Sequence, residues 1–520
     1  MRQKEVVEGA LAAALVPLAL AVALPFRAEA VAKQTSFSLG WDAAVHATEG
    51  LDVFDDLRLF RPLDALGLLL SRHWWGPAWA IVSAPFQAAF GPSLPAASLP
   101  SLVAFALAPA AAFLLARRLA GGGLLAAFAT ALLVAALFLG SPMLIETSAW
   151  PMLESLGGLF ALLAWVFFAR RPLRRPQRAA FLAGAALFLL KYHFGFFVLA
   201  TFLAVVLFEE TPDSRRRLGA AAHSLFLRGA GAGILALAAA LAALRLSLEA
   251  RGGDALASRV PSVSNVAWGA LVLFLLLGGA RRRTFSEAWT GSSSTFRDLV
   301  VFGLLPAAAW CLDPANMRGW YRQIFQHTEA PDRNPLPKLA AFGRFLGDDW
   351  TLGAWPASFV LLGLVLALVL PRGRTRRALA SFALWPVLLM SLSSYPVEAR
   401  FLACVVPAGF TAAVAGFSAL ASTLSEKARG PALGAAAVSL LLTLDGERWR
   451  AECRLRTPYR YAYAPGEIAA VKAAVTAAPP GGRIRLRLPP DPPVWPAVRL
   501  SLRLRRRDLA PADVDVAMAP

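Results

Sequence analysis

The decisive stretch of this sequence is residues 179–208, AAFLAGAALFLLKYHFGFFVLATFLAVVLF, an apolar run bounded by Arg178 and Glu209. A helix needs about 20 residues to cross the hydrocarbon core of a bilayer, so this run is too long for a single crossing. Lys191-Tyr192-His193 interrupts it near its middle. The sequence therefore predicts two short membrane helices that meet at Lys191.

Comparable apolar blocks occupy most of the chain, whose 520 residues are 57% hydrophobic and 16% charged. A soluble domain has about a quarter of its residues charged, and this apolar content also excludes disorder. The 52 Lys and Arg against 33 Asp and Glu give a net charge of +19. These cations lie between apolar blocks, which argues against a nucleic-acid partner. The composition predicts an all-α polytopic protein of the cell (inner or plasma) membrane, with the lipid bilayer as its surroundings.

Runs of basic residues give the predicted orientation, because short cytoplasmic loops collect Lys and Arg. The runs are Arg117-Arg118, the Arg-rich stretch 170–178, Arg215–Arg217, Arg281–Arg283, the Arg-rich stretch 372–377 and the segment 426–429. Placing all of them in the cytoplasm requires an even number of crossings between neighbouring runs. About thirteen transmembrane helices meet this requirement, at 9–26, 99–116, 121–139, 152–169, two within 179–208, 224–246, 262–280, 298–312, 353–371, 378–392, 401–424 and 431–444.

The chain divides into a transmembrane domain, residues 1–444, and a small soluble tail, residues 445–520. The tail has the only soluble-domain pattern, with a helix expected at 467–478 and period-two strands at 483–488 and 498–504. Its side of the membrane depends on the short apolar segment 431–444. If that segment crosses, the α/β tail is extracytoplasmic, and if it does not, the tail is cytoplasmic.

Three predicted extracytoplasmic segments are too long or too acidic to be simple connectors: 27–98, 140–154 and 313–352. Apolar spacing predicts two surface helices in the first, at 42–70 and 77–90. The third mixes aromatic and polar side chains, including His327 and Arg344, in a way that suits stacking on sugar rings. Interfacial Trp and Tyr are also common at any membrane boundary, so this segment supplies only weak candidates.

The order of several short elements resembles the membrane-embedded glycosyltransferases of the GT-C superfamily. The elements are Gly40-Trp41-Asp42 with His46 four residues later, His73 before Pro77, Phe90-Gly91-Pro92, Ser141-Pro142 followed by Glu154, Leu190-Lys191-Tyr192, and Tyr395 to Leu402 around Arg400. They cover roughly residues 1–425. The resemblance is greatest to the family 39-like bacterial relatives of protein O-mannosyltransferases and of the lipid A aminoarabinose transferase.

This resemblance implies sugar transfer from a polyprenyl-phosphate-linked donor to a lipid, glycan or protein acceptor on the extracytoplasmic side. It makes Asp42 the catalytic carboxylate, which takes a proton or steadies developing positive charge. It also implies that cationic side chains bind the donor phosphate, and the candidates are Lys191, Arg400 and His193. The further active-site candidates are His46, His73, Glu154, His327 and Arg344.

Two departures from the family pattern bear on this site. Many relatives carry a second acid where this chain has Ala43, so a divalent metal is compatible with the resemblance but less expected here. Arg72-His73-Trp74-Trp75-Gly76-Pro77 replaces the usual His-Pro-Pro element, which weakens the role carried over to His73.

Each candidate also has a structural interpretation. Asp42 could cap a helix, and His46 could make a structural hydrogen bond. Glu154 would have to be paired, for instance with Arg400, because an isolated charge beside an apolar run is costly. Lys191 could extend to the interface, although it is one of only six Lys beside 46 Arg. Arg400 could anchor its helix.

Two other functions remain open from the sequence. A secondary transporter or lipid-glycan flippase would place its polar site near mid-membrane, often in two similar halves. A membrane scaffold, or a relative that has lost activity, would be consistent with Ala43. The depth of Glu154, Lys191 and Arg400 relative to Asp42 distinguishes the enzyme from the transporter.

Overall fold

The computed structural model of the protein describes residues 2–33, 41–70, 76–170, 174–226, 282–311, 335–370, 373–392, 399–443, 484–488, 495–505 and 514–518, with short pieces at 234, 236–241, 243–244, 316 and 473. The predicted span 262–280 lies outside these residues, as do 227–233, 235, 242 and 245–246 of the predicted span 224–246.

The described chain is almost entirely helical, as the apolar blocks predict. The helices are α1 Arg2–Lys33, α2 Trp41–Arg58, α3 Pro62–Leu70, α4 Ala78–Phe90, α5 Leu94–Ala120, α6 Leu124–Leu139, α7 Pro142–Ala149, α8 Leu153–Phe168, α9 Arg174–Leu190, α10 Tyr192–Glu209, α11 Pro212–Phe226, α12 Arg282–Gly291, α13 Ser294–Leu299, α14 Leu305–Cys311, α15 Pro335–Gly347, α16 Ala354–Val369, α17 Arg374–Leu392, α18 Val406–Ala421, α19 Glu426–Leu441 and α20 Trp495–Arg505. A π-helical turn, Val300–Leu304, joins α13 to α14, and a 3-10 helix, Ala399–Cys404, precedes α18.

Within these residues three helical stretches are long and apolar enough to cross a membrane: Gln3–Val31, Leu94–Ala120 and Tyr192–Glu209. A fourth is the bent pair α6 and α7, which meet at 66° at the Ser141-Pro142 element. Several shorter apolar helices, including α8, α16 and α18, pack among them. The fold is that of a polytopic membrane protein.

Two parallel helices, α5 and α8, define the two ends of the bundle. At one end the Ser101 hydroxyl donates to the Met152 carbonyl at 3.1 Å. At the other, Arg118 Nε donates to the Ala169 carbonyl at 3.5 Å. The basic end thus holds Arg118 and Arg170, and the far end holds Met152 and the start of α8. A helix of the length of α5 spans about 40 Å.

The hairpin predicted at 179–208 is confirmed. Helix α9 ends at Leu190 and α10 begins at Tyr192, so Lys191 is the turn residue. Gly195 lies so close to the Phe188 backbone that a Cβ atom would overlap it, and Gly184 lies against Leu199. These pairings show that the two helices run antiparallel, with glycine permitting their close approach.

Helix α19 runs parallel to α6. Gly430 near its start packs on Leu125 near the start of α6, and the helices contact each other along their lengths. Helix α6 begins at the basic end, where Arg117 donates to the Gly121 and Gly122 carbonyls. Helix α19 therefore ends at the far end of the bundle.

The C-terminal segment differs in part from its prediction. The first predicted strand is present as β1, Ile484–Leu488, but it pairs in parallel with β2, Val514–Met518. The prediction of a strand at 498–504 is wrong, since these residues belong to α20. Parallel strands need a crossover connection, usually a helix, which explains why period-two residues form a helix here. The predicted helix 467–478 lies almost wholly outside the described residues.

The prediction of one surface helix at 42–70 is also wrong. The chain breaks at Phe60, which has a left-handed φ of 56°, and separates α2 from α3. The helix predicted at 77–90 is present as α4, and its position along the membrane surface stays a prediction.

Candidate functional site

Asp42 lies in the first turn of α2, where a carboxylate is stabilised by the positive end of the helix dipole. Its side chain is buried. The helix forms because one face carries small apolar residues at helical spacing, Ala43, Ala47 and Leu51, all nearly inaccessible. The fold therefore holds Asp42 on a packed element rather than in a mobile loop.

The small face of α2 packs against the start of α8. Ala43, Ala47 and Leu51 form one buried apolar cluster with Ala97 and Met152. Met152 directly precedes α8, and Glu154 lies in its first turn. Ala43 is 1% exposed, so the position at which many GT-C relatives carry a second acid is a packing contact in this chain.

Glu154 and Lys191 form a buried ion pair at the far end of the bundle. Lys191 Nζ lies 2.7 Å from Glu154 Oε1, and the two side chains are 1% and 3% exposed. Lys191 Nζ also lies 5.6 Å from the centre of the Phe194 ring. Lys191 is thus a partner of Glu154, while the pairing with Arg400 that the sequence suggested involves a side chain outside the described part of the structure and stays a prediction. Because burying a lone charge is very costly, each residue offsets part of the free-energy cost of burying the other.

His193 is buried two residues beyond Lys191, with its ring 4.6 Å from that of Phe194. Between them, the Tyr192 hydroxyl accepts a hydrogen bond from Trp310 Nε1 at 3.0 Å. The turn between α9 and α10 is therefore fixed on one side by α14.

Helix α4 connects this turn to α2. Trp79 Nε1 donates to the His46 carbonyl at 2.9 Å. A Cβ atom at Gly76 would overlap the Leu189 carbonyl oxygen, so the chain before α4 lies directly on the end of α9. The helix that carries Asp42 and the turn that carries Lys191 are thus tied to one another at the far end.

The 3-10 helix that contains Arg400 packs on the same end of α8. Cys404 Sγ donates to the Glu154 carbonyl at 3.7 Å. Gly157 lies against Cys404, and Gly158 lies against the Ala403 carbonyl. The C-terminal end of this 3-10 helix therefore lies beside the start of α8, while the side chain of Arg400, which precedes that end, lies outside the described part of the structure.

An apolar cavity of about 270 Å³ lies behind this 3-10 helix. Leu402 and Val405 line it on one side, and α15, α16 and α17 line it on the others.

The other sequence candidates are less clearly part of this cluster. His46 is buried, with Nδ1 3.4 Å from Glu49 Oε2 and its ring beside Trp79, contacts that fit a structural histidine. Arg344 is exposed on α15. His73 and His327 lie outside the described residues.

Two polar arrangements at the far end were not predicted. Trp350 Nε1 donates to buried Glu146 Oε2 at 2.7 Å, which attaches the segment before α16 to α7. Arg503 of α20 pairs with Asp52 and Asp55 of α2. The acidic stretch 52–56 was visible in the sequence, but a partner about 450 residues away cannot be found from spacing.

The described residues hold no group of three or more His, Cys, Asp and Glu side chains that could bind a metal ion. Because Ala43 is packed against apolar neighbours, the residues present do not fit a metal bound by paired acids on α2.

Comparison with known proteins gives a fold relative. No family model matches the chain, and neither does any curated protein. The structure is similar to that of ArnT from Cupriavidus metallidurans bound to undecaprenyl phosphate, with a TM-score of 0.51 and 13% identity over 97% of this chain and 89% of that one. Apo ArnT from the same organism aligns with a TM-score of 0.44 and 15% identity, over 96% of this chain and 75% of that one.

At this identity the likeness establishes a shared fold.

Proposed function

We propose that this protein is a membrane glycosyltransferase that transfers a sugar from a polyprenyl-phosphate-linked donor to a lipid, glycan or protein acceptor. The observation that carries the proposal is the alignment of 97% of the chain with ArnT bound to undecaprenyl phosphate. It is supported by the grouping of Asp42, the Glu154–Lys191 pair and the Arg400 helix at one end of the bundle.

In the proposed reaction Asp42 acts on the acceptor. A carboxylate held at a helix N-terminus can accept the proton of the attacking hydroxyl or steady positive charge at the anomeric carbon. Its burial on α2 keeps that carboxylate in one place, which is what efficient attack requires.

Lys191 and Arg400 act on the donor phosphate, with His193 beside them. An ammonium group has three N–H donors, and Glu154 Oε1 takes one from Lys191. Because Glu154 neutralises Lys191, the net positive charge for the phosphate comes from Arg400, whose planar guanidinium suits two-point binding. The apolar cavity behind the Arg400 helix is suited to part of the isoprenoid chain.

We place this site, and the tail 445–520, on the extracytoplasmic side. The basic residues Arg118, Arg170 and Arg429 gather at the opposite end of the bundle, as cytoplasmic loops do. The parallel course of α6 and α19 supports a crossing by the last apolar helix, and hence about thirteen spans in all. A topology reporter fused after Pro520 tests this: activity characteristic of the cytoplasm would contradict it.

A transporter or flippase is the alternative. Lys191 lies at the turn between α9 and α10, and Glu154 lies in the first turn of α8, so the pair is at an end of the bundle. Transporter sites lie near mid-membrane. This position favours the enzyme.

The test uses purified protein in lipid, radiolabelled polyprenyl-phosphate sugars and a membrane extract as acceptor. The enzyme is expected to move label into an acceptor while the donor lipid disappears. If labelled donor instead crosses the bilayer intact, the transporter interpretation is correct and the proposed function is wrong.

A further inference from the structure

The C-terminal helix α20 makes a direct contact with the helix that carries Asp42. Leu500 of α20 belongs to the apolar cluster of Ala43, Ala47 and Met152. Leu504 packs against the edge of the same cluster. A helix that begins at Trp495, far along the chain from the end of α2 at Arg58, thus completes the packing around α2.

Charged contacts accompany this packing. Arg503 Nε lies 2.8 Å from Asp52 Oδ1, and Arg503 Nη2 lies 2.7 Å from Asp55 Oδ2. The side chains of Arg503 and Asp55 are fully buried, and that of Asp52 is 4% exposed. Arg499, one turn earlier, adds a 3.0 Å contact to Asp52. The guanidinium therefore bridges two carboxylates one turn apart on α2.

This geometry gives Arg503 more than a neutralising role. A guanidinium is a rigid fork with donors in fixed directions, so it fixes the position of both aspartates together. Because the charges are desolvated, an alternative placement of α2 would leave at least one of them buried and unpaired, which is costly. The bridge consequently favours a single position of α2.

We propose that α20 is a clamp on α2 and that Arg503 is a positioning residue for Asp42. The assignment of Asp42 rests on the proposed function, but the clamp itself does not. The tail 445–520 then contributes to the site through α2, without touching the substrate. Its removal would take Arg499 and Arg503 away from Asp52 and would take Arg503 away from Asp55, which keeps its contact with Arg58 at 3.4 Å.

The clamp is tested by hydrogen exchange of the full-length protein in lipid nanodiscs. Arg503→Leu is expected to raise exchange at 43–58 by at least about tenfold while exchange in α8 is unchanged. Arg503→Lys, which keeps the charge but loses the fork, should fall in between. Lys427→Leu, an exposed cation on α19, is the matched control. Equal exchange in Arg503→Leu and the wild type would overturn the clamp.

A second variant separates positioning from charge balance. The triple change Arg503→Leu, Asp52→Asn and Asp55→Asn removes all three charges, so it should fold even if Arg503→Leu does not. If exchange at 43–58 stays high in this variant, the bridge itself holds α2. If exchange returns to the wild-type rate, Arg503 only balances charge and the positioning role is wrong.

Kinetics address the link to Asp42. Arg503→Leu is expected to lower kcat about tenfold and to change the KM for the donor lipid by less than about twofold, since α2 and not the phosphate site is displaced. Faster hydrogen exchange at 43–58 with an unchanged kcat would overturn the positioning role. If the wild type transfers no sugar from any polyprenyl phosphate, the proposed function fails, while hydrogen exchange still decides the clamp.

Discussion

The change Lys191→Met tests the buried ion pair on which the site depends. Methionine keeps most of the side-chain volume but leaves the Glu154 carboxylate buried without its ammonium partner at 2.7 Å. Breaking one member of a buried pair costs about 3–5 kcal/mol. The carboxylate can escape part of this by taking up a proton, which costs an ordinary glutamic acid about 3.7 kcal/mol at pH 7. Lys191→Met is therefore expected to lower the free energy of unfolding at pH 7 by about 3–4 kcal/mol.

The pH dependence of this loss has a definite sign. At pH 5 the same proton uptake costs only about 1 kcal/mol, so the difference between Lys191→Met and the wild type should shrink as the pH falls. Thermal unfolding in detergent measures this difference, with an expected fall in apparent Tm of roughly 3 °C at pH 7. The double variant Lys191→Met with Glu154→Gln should regain most of the stability, because no buried charge remains.

The control is Lys427→Met, which removes an exposed lysine and should change Tm little. A Lys191→Met protein as stable as the wild type at pH 7 would refute the reasoning. So would a loss of the same size at pH 5 and pH 7, since it would arise from packing and not from the stranded carboxylate.

Three further changes test the fold around the site. Gly195→Ala should lower the free energy of unfolding by at least about 2 kcal/mol, because its Cβ would overlap the α9 backbone. Gly434→Ala is the control, because there is open space around Gly434. Equal Tm values for the two variants would contradict the hairpin packing. Ala43→Asp should lower Tm and give no metal-stimulated transfer, since it buries a charge beside Met152; a gain of activity with a divalent cation would show that this chain retains a two-acid site. Burial, together with the nearby charges of Asp52 and Asp64, raises the pKa of Asp56 to about 6, so the stabilising contribution of the protonated carboxyl is present below about pH 4 and is lost as the pH rises through 6. Asp56→Asn should therefore raise Tm more at pH 7.5 than at pH 5. The reverse order would be inconsistent with a raised pKa.

The helices and the hairpin could be predicted from the sequence because hydrophobic length and charge are local signals. The apolar run 179–208 and its polar centre were enough to place Lys191 at a turn, and the structure has that turn. The basic runs predicted which helix ends lie together, as Arg118 beside Ala169 shows.

The parts that failed depend on contacts distant in sequence. Period two in 498–504 suggested a strand, but the helix α20 is buried between α2 and the strand β2, and burial on several sides hides the helical period. The break at Phe60 did have a local signal, because Pro62 occupies the first position of α3, where proline commonly begins a helix. The pairing of Glu154 with Lys191 was not predicted, because it depends on how α9 and α10 bring their turn onto α8, a geometry that no spacing reveals.

The sequence singled out several residues of the candidate site as unusual, but it did not reveal their contacts. Asp42, Glu154 and Lys191 stood out because charged residues beside apolar runs are costly and so need a reason. Glu146 did not stand out, because its partner Trp350 looked like an ordinary interfacial aromatic. Arg503 was indistinguishable among 46 Arg, yet it is fully buried.

The most direct test of the central claim is the rate of sugar transfer from a labelled polyprenyl-phosphate donor by reconstituted wild type and Asp42→Asn. The amide is close in shape to the carboxylate but cannot take a proton or carry negative charge. Loss of the general base is worth about 10²- to 10⁴-fold, so transfer should fall by at least about a hundredfold with donor binding retained. Equal transfer by the two proteins would contradict the account.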